Sequence, residues 1–162
     1  MYFITIKQEH TTMNKLFTVI LILLSSVTVL FGSEKYDEVE VIASTLYHEA
    51  RGEGIEGMDA VASVIYNRAH QPRWKKLGLA GVCLQKKQFS CHNKGFLSAK
   101  PKTVADKKAY EYCKELANKM VNGTFKSTVG NANHYCTLKC KVYWKSQLKN
   151  TTIVKNHIFG SL

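Results

Sequence analysis

The chain has 162 residues, a length that favours a single domain with a proper hydrophobic core. Its apolar content is ordinary and it contains only two prolines, which excludes a disordered or low-complexity protein. The formal net charge is +11, carried mainly by 20 lysines, and this excess predicts a polyanionic partner. The lysines are scattered and form no compact arginine-rich or aromatic-interleaved patch, so we expect no nucleic-acid partner.

The first 36 residues differ in composition from the rest. Lys15 precedes an apolar run over residues 16–31, which is typical of the hydrophobic region of a signal peptide and is short for a membrane span. Residues 1–36 therefore predict either a signal peptide, with translation starting at Met13, or a retained N-terminal membrane anchor. We predict export across the cytoplasmic membrane and place the functional domain at residues 37–162.

Two amphipathic helices are predicted on either side of a short glycine-rich connection. The apolar stripe of the first helix contains Val39, Ile42, Leu46 and, at its carboxyl end, Glu49. The stripe of the second helix contains Met58, Val61, Ala62 and Ile65. A carboxylate on a buried stripe is either a structural hydrogen-bond acceptor or a working acid, because burial disfavours its charged form. Glu49 is therefore the first candidate for chemistry.

The remaining segments predict one more helix and a few strands. Thr103 is a good N-cap with Asp106 in a capping-box arrangement, and Asn122-Gly123 predicts the end of this helix. Three glycines predict a loop-rich segment over residues 77–101. Residues 132–144 and 151–159 are rich in aromatic and β-branched types and predict short strands.

Several motifs follow one another in order between residues 37 and 160. They are Glu49-Ala-Arg-Gly-Glu53, Glu56-Gly57-Met58, Asn67-Arg68, Gln88-Phe89-Ser90-Cys91, Asn133-His134-Tyr135, Trp144 and His157-Ile158-Phe159. Together they resemble the SleB-type cell wall hydrolases, a family that includes the spore-cortex-lytic enzymes. The resemblance implies an α+β fold, a mainly helical lysozyme-like domain with a small antiparallel β-sheet. It also implies a monomeric enzyme without a cofactor whose partner is peptidoglycan.

Two acidic residues remain as candidates for catalysis after simpler roles are assigned to the others. Most of the 12 acids lie in the leader, at helix starts or on a solvated helix face, which leaves Glu49 and Glu53. Glycoside hydrolases ordinarily use two carboxyls, about 5 Å apart for retention or roughly 6.5–9.5 Å for inversion. The resemblance implies instead the one-glutamate scheme of lytic transglycosylases, and we assign that glutamate to Glu49. A purely structural acceptor is the alternative for this residue.

Other residues of the motifs are expected to support the site or bind substrate. They are Glu53, Arg51, Gln88, Phe89, Ser90, His134 and Tyr135. Glu53 is expected to accept hydrogen bonds from the backbone, Arg51 or Arg68 and so hold the turn. For Phe89 the alternative is plain packing in the core.

Five cysteines in an exported protein predict disulfides. Cys136 and Cys140 are close enough to staple a turn, and Cys83 and Cys91 flank a short loop and form the second candidate pair. Cys113 lies on a helix face and is expected to be a buried small hydrophobe. No metal site is expected, since His134, Cys136 and Cys140 lack the short Cys-x-x-Cys spacing of zinc sites.

Two alternatives to a glycan-cleaving enzyme stay open. The first is a Cys-His amidase or peptidase that uses Cys91 or Cys136 with His134 and cuts the peptide part of the wall. The second is a non-catalytic wall-binding module. Bacterial remodelling, spore germination and phage lysis by an endolysin are all compatible with the same chemistry.

Overall fold

The computed structural model describes residues 36–162 of the chain. The predicted signal peptide or anchor lies outside the described residues, apart from Tyr36. Within residues 36–162, no helix has both the length and the apolar character needed to cross a membrane.

Four helices make up most of the described structure. They are α1 (Glu38–Ala50), α2 (Gly54–His70), α3 (Gly78–Leu84) and α4 (Val104–Val121). Asp37 caps α1 by accepting a hydrogen bond from the backbone of Glu40, and Thr103 and Asp106 form the predicted capping box of α4. Helix α4 ends at Asn122, as the sequence predicted.

Helix α1 lies at the centre of the core and packs against the other three helices. Its residues 41–47 are all buried. The buried surface of α1 is therefore wider than the single apolar stripe that the sequence predicted, because other elements pack around the helix. Two of these residues are polar, and both find partners inside the protein. Ser44 donates a hydrogen bond to Glu40, and Thr45 donates one to the carbonyl of Val41.

The three strands form one antiparallel sheet. They are β1 (His134–Thr137), β2 (Lys149–Val154) and β3 (His157–Ser161), in the order β1-β3-β2. Strand β3 is central, and Tyr135 of β1 lies opposite Phe159 of β3. The predicted α+β class, mainly helical with a small antiparallel sheet, is confirmed.

Two local predictions need correction. The segment 77–101 is less loop-rich than predicted, because Gly78 adopts a φ of +66° and starts α3, whose Val82 and Cys83 are buried. The first predicted strand ends early, at Thr137. A disulfide-closed turn and a 3₁₀ helix over Tyr143–Gln147 take the place of its second half.

The glycine-rich connection between α1 and α2 has a steric cause. Gly54 has a φ of +71°, which other residues adopt only with strain, and it reverses the chain after the short turn over Arg51–Glu53. A Cβ at Gly57 would lie 2.2 Å from the Cβ of Glu53, so only glycine fits there. The two glycines bring α2 close to the end of α1 and fix the place of Glu49 and Glu53.

Candidate active site

A polar groove of about 410 Å³ lies where the carboxyl end of α1 meets β1 and β3. Its lining residues are Glu49, Arg68, Lys87, Gln88, His134, Tyr135, Cys136, Thr137, Trp144 and His157. They come from distant parts of the chain, and Glu49 is the only carboxylate among them. The groove therefore combines one acid with several hydrogen-bond donors.

Glu49 is held by two side chains. It is partly buried, and the hydroxyl of Tyr135 donates a hydrogen bond to its Oε2 at 3.2 Å. Burial and the negative charge of Glu49 raise the pKa of Tyr135, so its hydroxyl stays a donor at all ordinary pH values. Burial, the charge of Glu49 and a hydrogen bond to it also raise the pKa of Cys91 to about 12. Both neighbours of Glu49 are therefore neutral groups.

The Asn67-Arg68 pair at the carboxyl end of α2 explains how Tyr135 reaches Glu49. The side-chain amide of Asn67 donates hydrogen bonds to the carbonyls of Gly130 and Ala132, both at 2.8 Å. Nε of Arg68 donates one to the carbonyl of Asn133 at 2.7 Å. These bonds fix the backbone just before β1, so the motif of α2 positions the strand that carries Tyr135.

Arg68 also places a positive charge beneath the groove. It is buried, and its guanidinium lies 5.7 Å from the ring centre of Phe89 and 5.8 Å from that of Trp74. Burial lowers the pKa of Arg68 from its ordinary value, yet an arginine remains charged under any ordinary condition. Nη1 of this side chain has no hydrogen-bond partner among residues 36–162.

His134 lies in the aromatic part of the groove. Its ring centre is 5.3 Å from that of Trp144 and 6.3 Å from that of Trp74. Burial and the charges of Arg68 and Arg73 lower the pKa of His134 to about 4. The imidazole is therefore neutral at pH 7, and Asn133 Oδ1 lies 2.6 Å from its Nδ1.

The Gln88-Phe89-Ser90 motif splits between groove, core and surface. Gln88 lines the groove, Phe89 is fully buried, and Ser90 is exposed outside the groove lining. Phe89 packs in the core under Arg68, which agrees with the alternative role of core packing given above for this residue.

Of the partners predicted for Glu53, the two arginines contact other groups. Oε2 of Glu53 lies 3.8 Å from Nδ1 of His157, so this carboxylate contacts a residue that lines the groove. Arg51 pairs with Asp106 instead of Glu53, with 3.7 Å between Nε and Oδ1. Nε of Arg68 donates its hydrogen bond to the backbone carbonyl of Asn133. Neither Glu53 nor Arg51 lines the groove.

The cysteines agree with the sequence in part. Cys136 and Cys140 form the predicted disulfide, and Cys113 is a buried free thiol. The second predicted pair is not bonded: Cys83 and Cys91 are both free, because Cys91 points to Glu49 and Cys83 is enclosed in the core. Within the part of the chain that the structure describes, no three His, Cys, Asp or Glu side chains are arranged to hold a metal ion.

These positions oppose the Cys-His alternative. Cys136 is oxidised, and the thiol of Cys91 has a pKa of about 12, far above that of a reactive cysteine. The carboxylate of Glu49 beside Cys91 disfavours the thiolate that a cysteine nucleophile requires.

Sequence reasoning did not assign five of the groove residues to the site. They are Arg68, Lys87, Thr137, Trp144 and His157. Three of them, Arg68, Trp144 and His157, belong to the ordered motifs of the sequence. Their presence in those motifs was the one sequence feature that could have assigned them to the site. Lys87 carries a positive φ of 66°, a backbone property that the sequence does not reveal.

The model of a protein family described as cell wall hydrolase matches residues 52–160. The chain belongs to this family. Glu49 lies three residues before the start of the matched range. A curated relative, the spore cortex-lytic enzyme of Bacillus subtilis (strain 168), is 32% identical over 74 residues. That alignment covers 46% of this chain but 24% of the relative, so the chain spans about a quarter of its length.

Two solved structures of family members share the fold. The catalytic domain of the germination-specific lytic transglycosylase SleB from Bacillus anthracis is 25% identical, with a TM-score of 0.57. The match covers 80% of this chain and 100% of that domain. The catalytic domain of the Bacillus cereus SleB protein gives the same identity and TM-score, with 79% and 94% covered.

Proposed function

We propose that this protein cleaves the glycan strands of peptidoglycan, with Glu49 as the general acid and base. Membership of the cell wall hydrolase family and similarity to SleB catalytic domains support the substrate class. The observation that carries the assignment of Glu49 is its position as the only carboxylate in the groove lining.

The proposed reaction proceeds in two proton transfers. Protonated Glu49 gives its proton to the glycosidic oxygen, and the bond between that oxygen and C1 of the muramyl residue breaks. The resulting carboxylate then accepts the proton of the C6 hydroxyl of the same sugar. The C6 oxygen bonds to C1, which closes a 1,6-anhydro ring and requires no water.

The surroundings of Glu49 suit this cycle. Tyr135 donates a hydrogen bond to Oε2 of Glu49, which fixes the orientation of the carboxyl group. Both Tyr135 and Cys91 are neutral groups, so neither forms an ion pair with Glu49.

A single carboxylate favours a transglycosylase over a two-carboxylate hydrolase. The second acid of a hydrolase has to face the substrate from the groove. Glu53 lies behind His157 and does not line the groove. A muramidase reaction, in which water attacks C1 after the same protonation, is the second candidate.

The substrate places the site of action outside the cytoplasm. The apolar run at residues 16–31 supports export by a signal peptide or by an anchor. A fusion of residues 1–36 to a reporter that works only after export is expected to be active. An inactive fusion would contradict export through this segment.

Mass spectrometry of the muropeptides released from purified sacculi tests the proposal. Products that end in 1,6-anhydro-muramic acid are the expected result, and reducing ends would assign the muramidase route. Products cut in the peptide part would contradict glycan cleavage. Binding to sacculi with no release of any fragment would support the wall-binding module instead.

A further inference from the structure

A second cavity has a volume of about 340 Å³. Its lining residues are Tyr47, His48, Arg51, Leu97, Ser98, Lys100, Lys102 and Asp106, and we call it the basic pocket. His48 and Glu49 are neighbours in the chain, and each lines one of the two cavities. The groove and the basic pocket therefore each include at least one residue from the carboxyl end of α1, although they share no lining residue.

The basic pocket carries an excess of positive charge. Arg51, Lys100 and Lys102 are cations, and Asp106 is the only carboxylate of the lining. Asp106 is already engaged, since it accepts hydrogen bonds from the hydroxyl and the backbone of Thr103 and pairs with Arg51. Burial lowers the pKa of His48, so that ring adds no charge at neutral pH. An anionic ligand fits this balance.

The walls of the basic pocket are fixed before any ligand arrives. Ser98 donates a hydrogen bond to Glu40 at 2.7 Å, and the backbone of Ala99 donates one to Ser44 at 2.9 Å. Both bonds attach the loop that carries the two lysines to helix α1. On the other wall, the guanidinium of Arg51 lies 4.7 Å from the ring centre of Tyr47 and donates to the carbonyl of Tyr47. The loop backbone and the guanidinium of Arg51 are thus already ordered, so these parts of the pocket lose little entropy on binding.

The lining also offers apolar surface. Leu97 is 46% exposed and supplies this surface, whereas the ring of Tyr47 is buried beneath the guanidinium of Arg51. A short peptide with carboxylates and small aliphatic side chains uses both kinds of surface. A phosphodiester polymer would use the cations alone, so the mixed lining favours the peptide.

We propose that the basic pocket binds a carboxylate of the stem peptide that branches from the muramyl residue of the wall. The proposal rests on the proposed function, because the stem peptide is attached to the glycan strand that the groove is proposed to hold, and both cavities take a residue from the end of α1. The pocket then selects glycan that still carries peptides with free carboxylates.

The test measures binding without cleavage. A fluorescent stem tetrapeptide with free carboxylates is titrated into the wild type and into a Lys100→Glu/Lys102→Glu variant. The matched control is Lys75→Glu/Lys76→Glu, which makes the same charge change at two exposed lysines outside both cavities. We expect Kd to rise at least tenfold for the first variant and less than twofold for the control. Equal losses in both variants would overturn the proposal.

Two further ligands distinguish the source of the negative charge. A tetrapeptide with its carboxylates converted to carboxamides is expected to bind at least tenfold more weakly than the free acid. A glycerol phosphate oligomer is expected to bind more weakly still, and tighter binding of the oligomer would overturn the peptide assignment. Wild type that releases muropeptides but binds no stem peptide would overturn this proposal alone. Wild type that binds the peptide but releases nothing would contradict the proposed function alone.

Discussion

The hydroxyl of Tyr135 donates a hydrogen bond to Glu49 across 86 residues of sequence. The bond joins the end of the central helix to the first strand of the sheet. It links the only acid of the groove to the part of the fold that forms the opposite wall. The orientation of the acid therefore depends on the sheet being in place.

Tyr135→Phe is expected to lower kcat by about 10- to 100-fold, because a hydrogen bond to a charged group contributes about 1.5–3 kcal/mol. The phenyl ring still stacks on Phe159, so the melting temperature should change little. Muropeptide release at saturating substrate measures the effect. Tyr143→Phe is the control, since Tyr143 is 85% exposed and lies outside the groove. Equal activity of the two variants would remove Tyr135 from the mechanism.

Glu49→Gln is expected to lower activity by about 10²–10⁴ while the protein stays folded. Glutamine keeps the volume and a carbonyl that accepts from Tyr135, but it does not donate a proton to a leaving oxygen. Turbidity clearance of sacculi and thermal melting are measured together. Glu53→Gln is the matched control and should keep most activity, with a stability loss of about 1 kcal/mol or less. A folded, inactive Glu53 variant beside an active Glu49 variant would exchange the two roles.

Glu40→Ala is expected to destabilise the fold by about 1–3 kcal/mol, because it leaves buried donors without an acceptor. The carboxylate accepts hydrogen bonds from Ser44, Ser98 and Tyr110, which joins α1 to α4 and to the loop before it. Chemical denaturation measures the loss. Glu111→Ala removes an exposed carboxylate of α4 and should stay within about 0.5 kcal/mol of the wild type. A similar small change at both positions would show that the acceptor at Glu40 is dispensable.

Stability is expected to fall as the pH drops from about 6.5, the ordinary pKa of histidine, toward 4. The pKa of His134 is about 4 in the folded protein, so the unfolded chain binds a proton there first. The stabilising contribution is present above pH 6.5 and is lost as the pH approaches the folded value. Melting temperatures of wild type and His134→Asn, recorded over this range, check the sign. The variant should show the shallower decline, and a steeper one would contradict the assignment.

Gly57→Ala is expected to destabilise the protein by about 1–3 kcal/mol through overpacking, since its Cβ would overlap that of Glu53. Gly52→Ala is the matched control in the same motif, because a Cβ there has nothing within 4 Å. Thermal melting of the pair tests the steric explanation, and an equal response at both positions would refute it.

Features that depend on neighbouring residues were predictable from the sequence. The buried stripe that ends in Glu49, the capping box at Thr103 and the Cys136–Cys140 disulfide all involve short spacings. Long-range partners were not predictable. The sequence placed Glu40 among the acids at the start of a helix, but its hydrogen-bond partner Tyr110 lies 70 residues away in the chain. Glu53 contacts His157 and not one of the arginines that are closer in sequence. Periodicity gives the face of a helix, but it does not tell which distant element packs there.

The central position of β3 makes the groove depend on contacts between distant parts of the chain. Its pairing with β1 carries His157 and Tyr135 to the acid, and both contacts close long loops. A partly folded chain that has formed only its helices already contains Glu49 but has no groove around it. Under the proposed function, a chain in that state would have no lytic activity until the sheet had assembled around the acid.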